Sequence, residues 1–170
     1  MKEKVNIISA LILITMAITL LFLPSFTTCN IKIIMIIIFS IYSLVNLTKF
    51  FLTKETKDYE GFQIFIASLV AFSMSILLDI KSSTQYLYFT LVIWIIIMSL
   101  IKLKKMDYFH DRHNKLWKIE GLNLILFILT GLLTCLNLGY SNNIQIIIIS
   151  YFMLIHGILE IIIPIIKITK

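Results

Sequence analysis

Charge is scarce in this chain. Asp, Glu, Lys and Arg make up 14% of its 170 residues, against roughly 25% in an average soluble domain, which argues against a molecule wetted on all sides. No nucleophile triad, Gly-rich phosphate loop or nucleotide motif is present. Nothing in the sequence therefore supports enzyme activity or a cofactor, and neither is expected. Only two cysteines occur, Cys29 and Cys135. Both fall near the same expected end of the molecule, where an oxidising compartment would permit a disulfide. Pairing needs Cα atoms within about 7 Å, a separation that sequence does not reveal, and two buried thiols are the expectation.

What is abundant is hydrocarbon, at 59% of residues. In lipid only helices or closed barrels satisfy every backbone polar group, and these apolar runs are about twice the length of a barrel strand. The fold class expected is all-α: a polytopic membrane protein whose residues 1–170 form one integral membrane domain. Six runs reach or approach the roughly 20 residues that cross the hydrocarbon, near 5–24, 31–52, 61–79, 86–103, 118–138 and 144–166. The first begins with "MKEK", like a signal peptide. Its apolar stretch, Val5 to Leu23, is 19 residues and exceeds a signal core, and "PSFTTCN" lacks an A-x-A-like cleavage site. "FTTC" faintly resembles a lipoprotein box, but bulky Thr28 disfavours cleavage there.

Lysine placement sets an expected orientation. With six spans, thirteen of the fifteen Lys and Arg residues fall on the side of the two termini, and only Lys32 and Lys81 fall on the other. That asymmetry over short loops is the positive-inside pattern, so both termini are expected to be cytoplasmic, in a cell inner or plasma membrane. The net charge of +6 then serves contact with anionic lipid. Nucleic acid is not an expected partner, because aromatic and polar base-readers are not interleaved with the lysines. The bilayer is, and a homo-oligomer or another membrane protein remains open.

Short outside turns ("PSFTTCN", "DIKSSTQ", "LGYSNN") alternate with longer charged inside connections ("TKETKDYEG", "KKMDYFHDRHNKLWKIEG"). The helices thus group into three hairpin repeats, about 5–52, 61–103 and 118–166. Aligning Ile7, Gly61 and Gly121 brings Ala17, Ala71 and Gly131 into register, all small, as close helix packing in lipid requires. On the even helices Asn46, Ser99 and Glu160 share a register, with Lys49 and Lys102 each three residues further on.

This pattern resembles the HdeD-like family of bacterial acid-resistance membrane proteins, built from short two-helix repeats. The likeness is clearest in "LWKIEGLNLILFILTGLLTCLNLGYSNNIQIIIISYFMLIHGILEIIIPIIK", where Gly121, Gly131 and Gly157 match the family's glycine steps. The first two repeats lack most of these glycines, and the family's turn proline appears only at Pro24. The resemblance implies a structural or stress-protective inner-membrane protein and supplies no catalytic residues.

Within "HGILEIIIP", His156 and Glu160 lie one turn apart on one face, roughly 15 Å and 9 Å from the inside end. A charge at mid-membrane costs roughly 2.5–3.5 kcal/mol, which makes an intramembrane ionisable residue a functional candidate. One reading is a proton site, since imidazole titrates near neutrality. Another is interhelical glue, with Glu160 bonded to Asn123 at similar depth on the partner helix and His156 bonded to a carbonyl or serine. A small proton-coupled carrier lined by His156, Glu160, Asn123 and Asn46 is the rival to the structural role; a membrane-embedded subunit of a larger complex is another. Pro164 removes the helical donor of the Glu160 carbonyl, so it either kinks the helix, admits water, or marks its end. "HDRH" (His110 to His113) lacks a third strong ligand at a defined spacing and reads as a hydrated loop, with no metal expected.

Overall fold

An apolar segment without water must bond its own N–H and C=O groups, and helices do so within the segment. The computed structural model describes residues 2–27, 30–53, 59–77, 83–139 and 141–168, and all regular structure among them is helical. The helices are α1 (Lys2–Phe22), α2 (Ile31–Thr53), α3 (Glu60–Ile76), α4 (Ser83–Asp111), α5 (Leu116–Leu136) and α6 (Asn142–Ile168), with a 3-10 turn at Leu23–Ser25 after α1. Five of the six are long and apolar enough to cross a membrane. The exception is α3, whose 17 residues rise about 25 Å; residues 78 and 79, at the expected end of that span, lie outside the described residues. The chain is a polytopic helical membrane protein.

Two boundaries depart from expectation. α4 runs on to Asp111, about two turns beyond residue 103, so part of the expected inside connection is helix. It ends on His113, whose φ of 51° places it in the left-handed region that closes helices, with Asn114 N–H donating to the Phe109 carbonyl at 3.0 Å. Asn114 Oδ1 then accepts from Leu116 N–H at 3.1 Å and starts α5. α6 continues through Pro164 to Ile168, so the proline does not stop it.

The tightest packing is not within the expected hairpins. α1 lies chiefly along α6, α2 along α3, and α4 along α5, so each helix takes as its closest neighbour the one across a connection expected to be inside or, for α1 and α6, across the two termini. Small residues explain these choices. A Cβ on Gly157 of α6 would come within 2.7 Å of Ile14 Cγ1 on α1, and one on Gly131 of α5 within 2.8 Å of Ile95 Cδ1 on α4. One on Gly61 of α3 would meet the α2 backbone itself, 3.0 Å from Phe50 N and 3.1 Å from Asn46 O. One on Gly121 would lie 3.1 Å from Met106 Sδ. Ala17 and Ala71 are fully buried.

Side chains from α2, α4 and α6 fill the centre. Trp94 of α4 is wholly buried and meets Phe39 and Tyr42 of α2, Phe127 of α5, and Phe152 and His156 of α6, with ring centroids 5.5–6.0 Å apart. These edge-to-face contacts hold three helices apart at the width of one aromatic layer. On one side of that layer the interior is aliphatic, with Leu87, Ile34 and Ile146 buried. On the other, towards the ends of α2, α4 and α6 that carry Lys49, Lys102 and Lys167, it is charged; this is the basic end of the bundle.

Candidate functional site

The charged layer begins one helical turn beyond the aromatic one. Lys102 and Lys105 are three residues apart on α4 and share a face. The Lys102 ammonium donates to Glu160 of α6 in an ion pair whose side chains are 6% and 17% exposed. Lys105 Nζ donates to Glu60 of α3 at 2.9 Å and lies 3.2 Å from Glu120 of α5. Lys49, Lys102 and Glu120 are buried. Four helices therefore converge on a network of Lys and Glu in which carboxylates and ammonium groups alternate, the condition for keeping charge out of water. Lys102 also sits 5.3 Å above the Phe127 ring, joining the charged layer to the aromatic one.

His156 lies at the junction of the two layers, with no exposed surface. Its Nε2 is 2.9 Å from the Tyr42 hydroxyl, and its Nδ1 is 4.0 Å from Glu160 Oε1. That Nδ1 has no hydrogen-bond partner; the buried Trp94 Nε1 and Ser99 Oγ, both on α4, also have none. Buried polar groups are seldom left unpaired, and three such atoms on the facing helices α4 and α6 mark a place where the polar interior is incomplete.

At the basic end the bundle opens into a vestibule of about 540 Å³ between α1, α3, α4 and α6. Glu60 and Lys105 form part of its wall, with Ile163 and Pro164 beside them. The ion-pair network is thus reached from one end of the molecule. In the opposite direction the aromatic layer lies beyond His156.

The four polar residues singled out by sequence do not bond directly to one another. His156 and Glu160 do face each other, but Glu160 pairs with Lys102, not with Asn123. Asn123 Nδ2 donates instead to the Leu159 carbonyl at 3.2 Å, because its short side chain, buried between α5 and α6, reaches the backbone first. Asn46 Nδ2 is taken up at 2.8 Å by the Tyr42 carbonyl of its own helix. The partner of His156 is a tyrosine rather than a carbonyl or serine. Asn46 thus satisfies its own helix, whereas Asn123 ties α5 to the α6 backbone.

Sequence reasoning missed Tyr42, Trp94, Lys105, Glu60 and Glu120. The last three fall within the quoted charged connections, where nothing in the sequence separates them from their neighbours. A signal did exist for Lys102 and Lys49, which repeat three residues after Ser99 and Asn46, a periodicity that a solvated loop has no reason to keep. Tyr42 precedes Asn46 by four residues as His156 precedes Glu160, so the Tyr42–His156 bond joins positions of the same spacing on α2 and α6.

Of the "HDRH" stretch, His110 and Asp111 end α4 with 3.9 Å between ring nitrogen and carboxylate. Among the described residues no group of three His, Cys, Asp or Glu side chains could hold a metal. Cys135 is buried in α5; Cys29 lies outside the described residues. Compared with known proteins, the chain matches no family model, no characterised protein and no solved structure.

Proposed function

We propose that this polytopic membrane protein is a small proton-coupled carrier of the cell inner membrane, with both termini cytoplasmic and His156 and Glu160 as its coupling residues. The observation that carries the reading is the succession of ionisable groups inward from the vestibule, where Lys105 pairs with Glu60 and Glu120, to the separate Lys102–Glu160 pair and to His156 beside Glu160. Charged groups placed inside a membrane are costly, and they are found where ions or protons must pass. The unpaired Nδ1 of His156 supports the same reading, since it lies 4.0 Å from Glu160 Oε1, the other group proposed to carry the proton. The buried aromatic layer serves as the barrier on the other side.

A structural, stress-protective role of the HdeD-like type is the second reading. It is favoured by the pairing of Glu160 and Glu120 with lysines, which makes the network self-neutralising. The two readings separate in one experiment. Replacing both members of a buried ion pair by apolar residues of similar size is often neutral or stabilising, whereas removing one member costs about 3–5 kcal/mol. The paired variant Lys102→Met with Glu160→Leu is therefore expected to reach the membrane at wild-type abundance. In proteoliposomes enclosing a pH-sensitive dye, it is expected to lose the proton flux of the wild type. Flux that persists in the paired variant would remove Glu160 as a coupling residue, and a wild type that carries no flux would leave only the structural role.

A further inference from the structure

We infer that the vestibule at the basic end binds a small organic anion with a flat apolar body, the substrate of the carrier proposed above, and the inference rests on that reading. A volume of about 540 Å³ falls within the range of small-molecule sites, roughly 300–1,000 Å³. Four cations border it, Lys104, Lys105, Arg112 and Lys167, against two carboxylates, Glu3 and Glu60. Lys105 is engaged by Glu60 and Glu120, and Lys167 by Glu3 at 3.2 Å. Lys104 and Arg112 have no carboxylate partner among the described residues, so the wall carries positive charge that its own acids leave uncompensated.

The walls between these charges are aromatic. The Arg112 guanidinium lies 4.4 Å over the Tyr108 ring, a stacked placement that leaves its N–H edge free to donate in the ring plane. Lys167 Nζ is 5.1 Å over the Phe109 ring, and Tyr59 completes that side of the vestibule. Asn6 Oδ1, on the α1 wall, is buried with no hydrogen-bond partner. Cationic donors beside flat apolar surface suit a carboxylate or phosphate joined to a ring, and they do not suit a cation or a sugar.

The location gives the anion a consequence. Lys105 belongs both to the vestibule wall and to the interior network, so an anion reaching its ammonium competes with Glu60 and Glu120. Loading the vestibule would then redistribute charge next to Lys102 and Glu160, which is what coupling requires.

Phenyl phosphate is a suitable probe, titrated calorimetrically into the full chain held in phosphatidylcholine nanodiscs. Expected are saturable binding, weaker binding of inorganic phosphate, and none of benzylammonium. Lys104→Gln combined with Arg112→Gln should weaken phenyl phosphate about tenfold at unchanged thermal unfolding, because both side chains are exposed. No saturable binding, equal binding of benzylammonium, or indifference to the double variant would overturn the site. Adding phosphatidylglycerol to the nanodisc separates the two sources of such an anion. Binding that survives supports a soluble ligand, and binding that is abolished overturns it in favour of a lipid headgroup. Binding without proton flux would leave the site standing and remove the coupling; flux without binding would do the reverse.

Discussion

Tyr42 and His156 illustrate how much one hydrogen bond can carry in a dry interior. The hydroxyl is the sole partner of His156 Nε2 among the described residues, and Nδ1 is already unpaired. Tyr42→Phe would leave both ring nitrogens without a protein partner, at a cost of about 1–3 kcal/mol for the orphaned group. Adding His156→Phe removes the need for the bond. The double variant is therefore expected to unfold at a higher temperature in detergent than Tyr42→Phe alone, a coupling that a thermal double-mutant cycle measures. Equal destabilisation in the single and double variants would mean that packing, not the bond, sets the stability. The same logic governs Glu160. Its identity as an acid is meaningful only beside Lys102, and without that lysine it would be an unpaired buried charge.

At the scale of helices, glycine decides who packs with whom. α3 meets α2 at Gly61 through backbone atoms, which cannot swing aside as a side chain can. Gly61→Ala is expected to push the two helices apart and lower stability by about 1–3 kcal/mol, the usual range for overpacking. Gly139→Ala is the matched control, because nothing lies within 4 Å of its added Cβ and its φ is not positive. Thermal unfolding of both variants in detergent, together with their yield in the membrane, checks the contrast; equal behaviour would remove Gly61 as a packing determinant. The closest helix pairs follow from these contacts. Gly157 draws α6 onto α1 and Gly131 draws α5 onto α4, each glycine leaving the space that an isoleucine of the partner helix, Ile14 or Ile95, fills. Adjacency through a short turn does not decide them.

For the whole molecule, the lysine asymmetry expects both termini on the cytoplasmic side. A green fluorescent protein fused after Lys170 should fluoresce, since that fold matures inside the cell, and a periplasmic phosphatase fused at the same point should be inactive. The opposite pair of results would invert the molecule and place the vestibule on the outside. Several of the lysines behind that asymmetry are not loop residues at all. Lys49, Lys102 and Lys105 are drawn into the bundle, and the exposed positive charge at the basic end rests on Lys104, Arg112 and their neighbours.

The sequence by itself determined that the chain is helical, about where the helices lie, and that small residues at Ala17, Ala71, Gly131 and Gly157 would be contact points. These follow from local properties: apolar run length, the backbone's need for internal bonds, and side-chain size. It also marked His156 and Glu160, because an ionisable residue within an aliphatic run is conspicuous in one dimension. Only the tertiary structure decided their partners. Tyr42 lies 114 residues from His156 and Lys102 lies 58 from Glu160, and their pairing depends on which helix faces turn inward. A charge near the end of a helix reads as a solvated loop residue until the fold shows it pointing at an opposite charge across the bundle, where removal from water makes each group depend on the other.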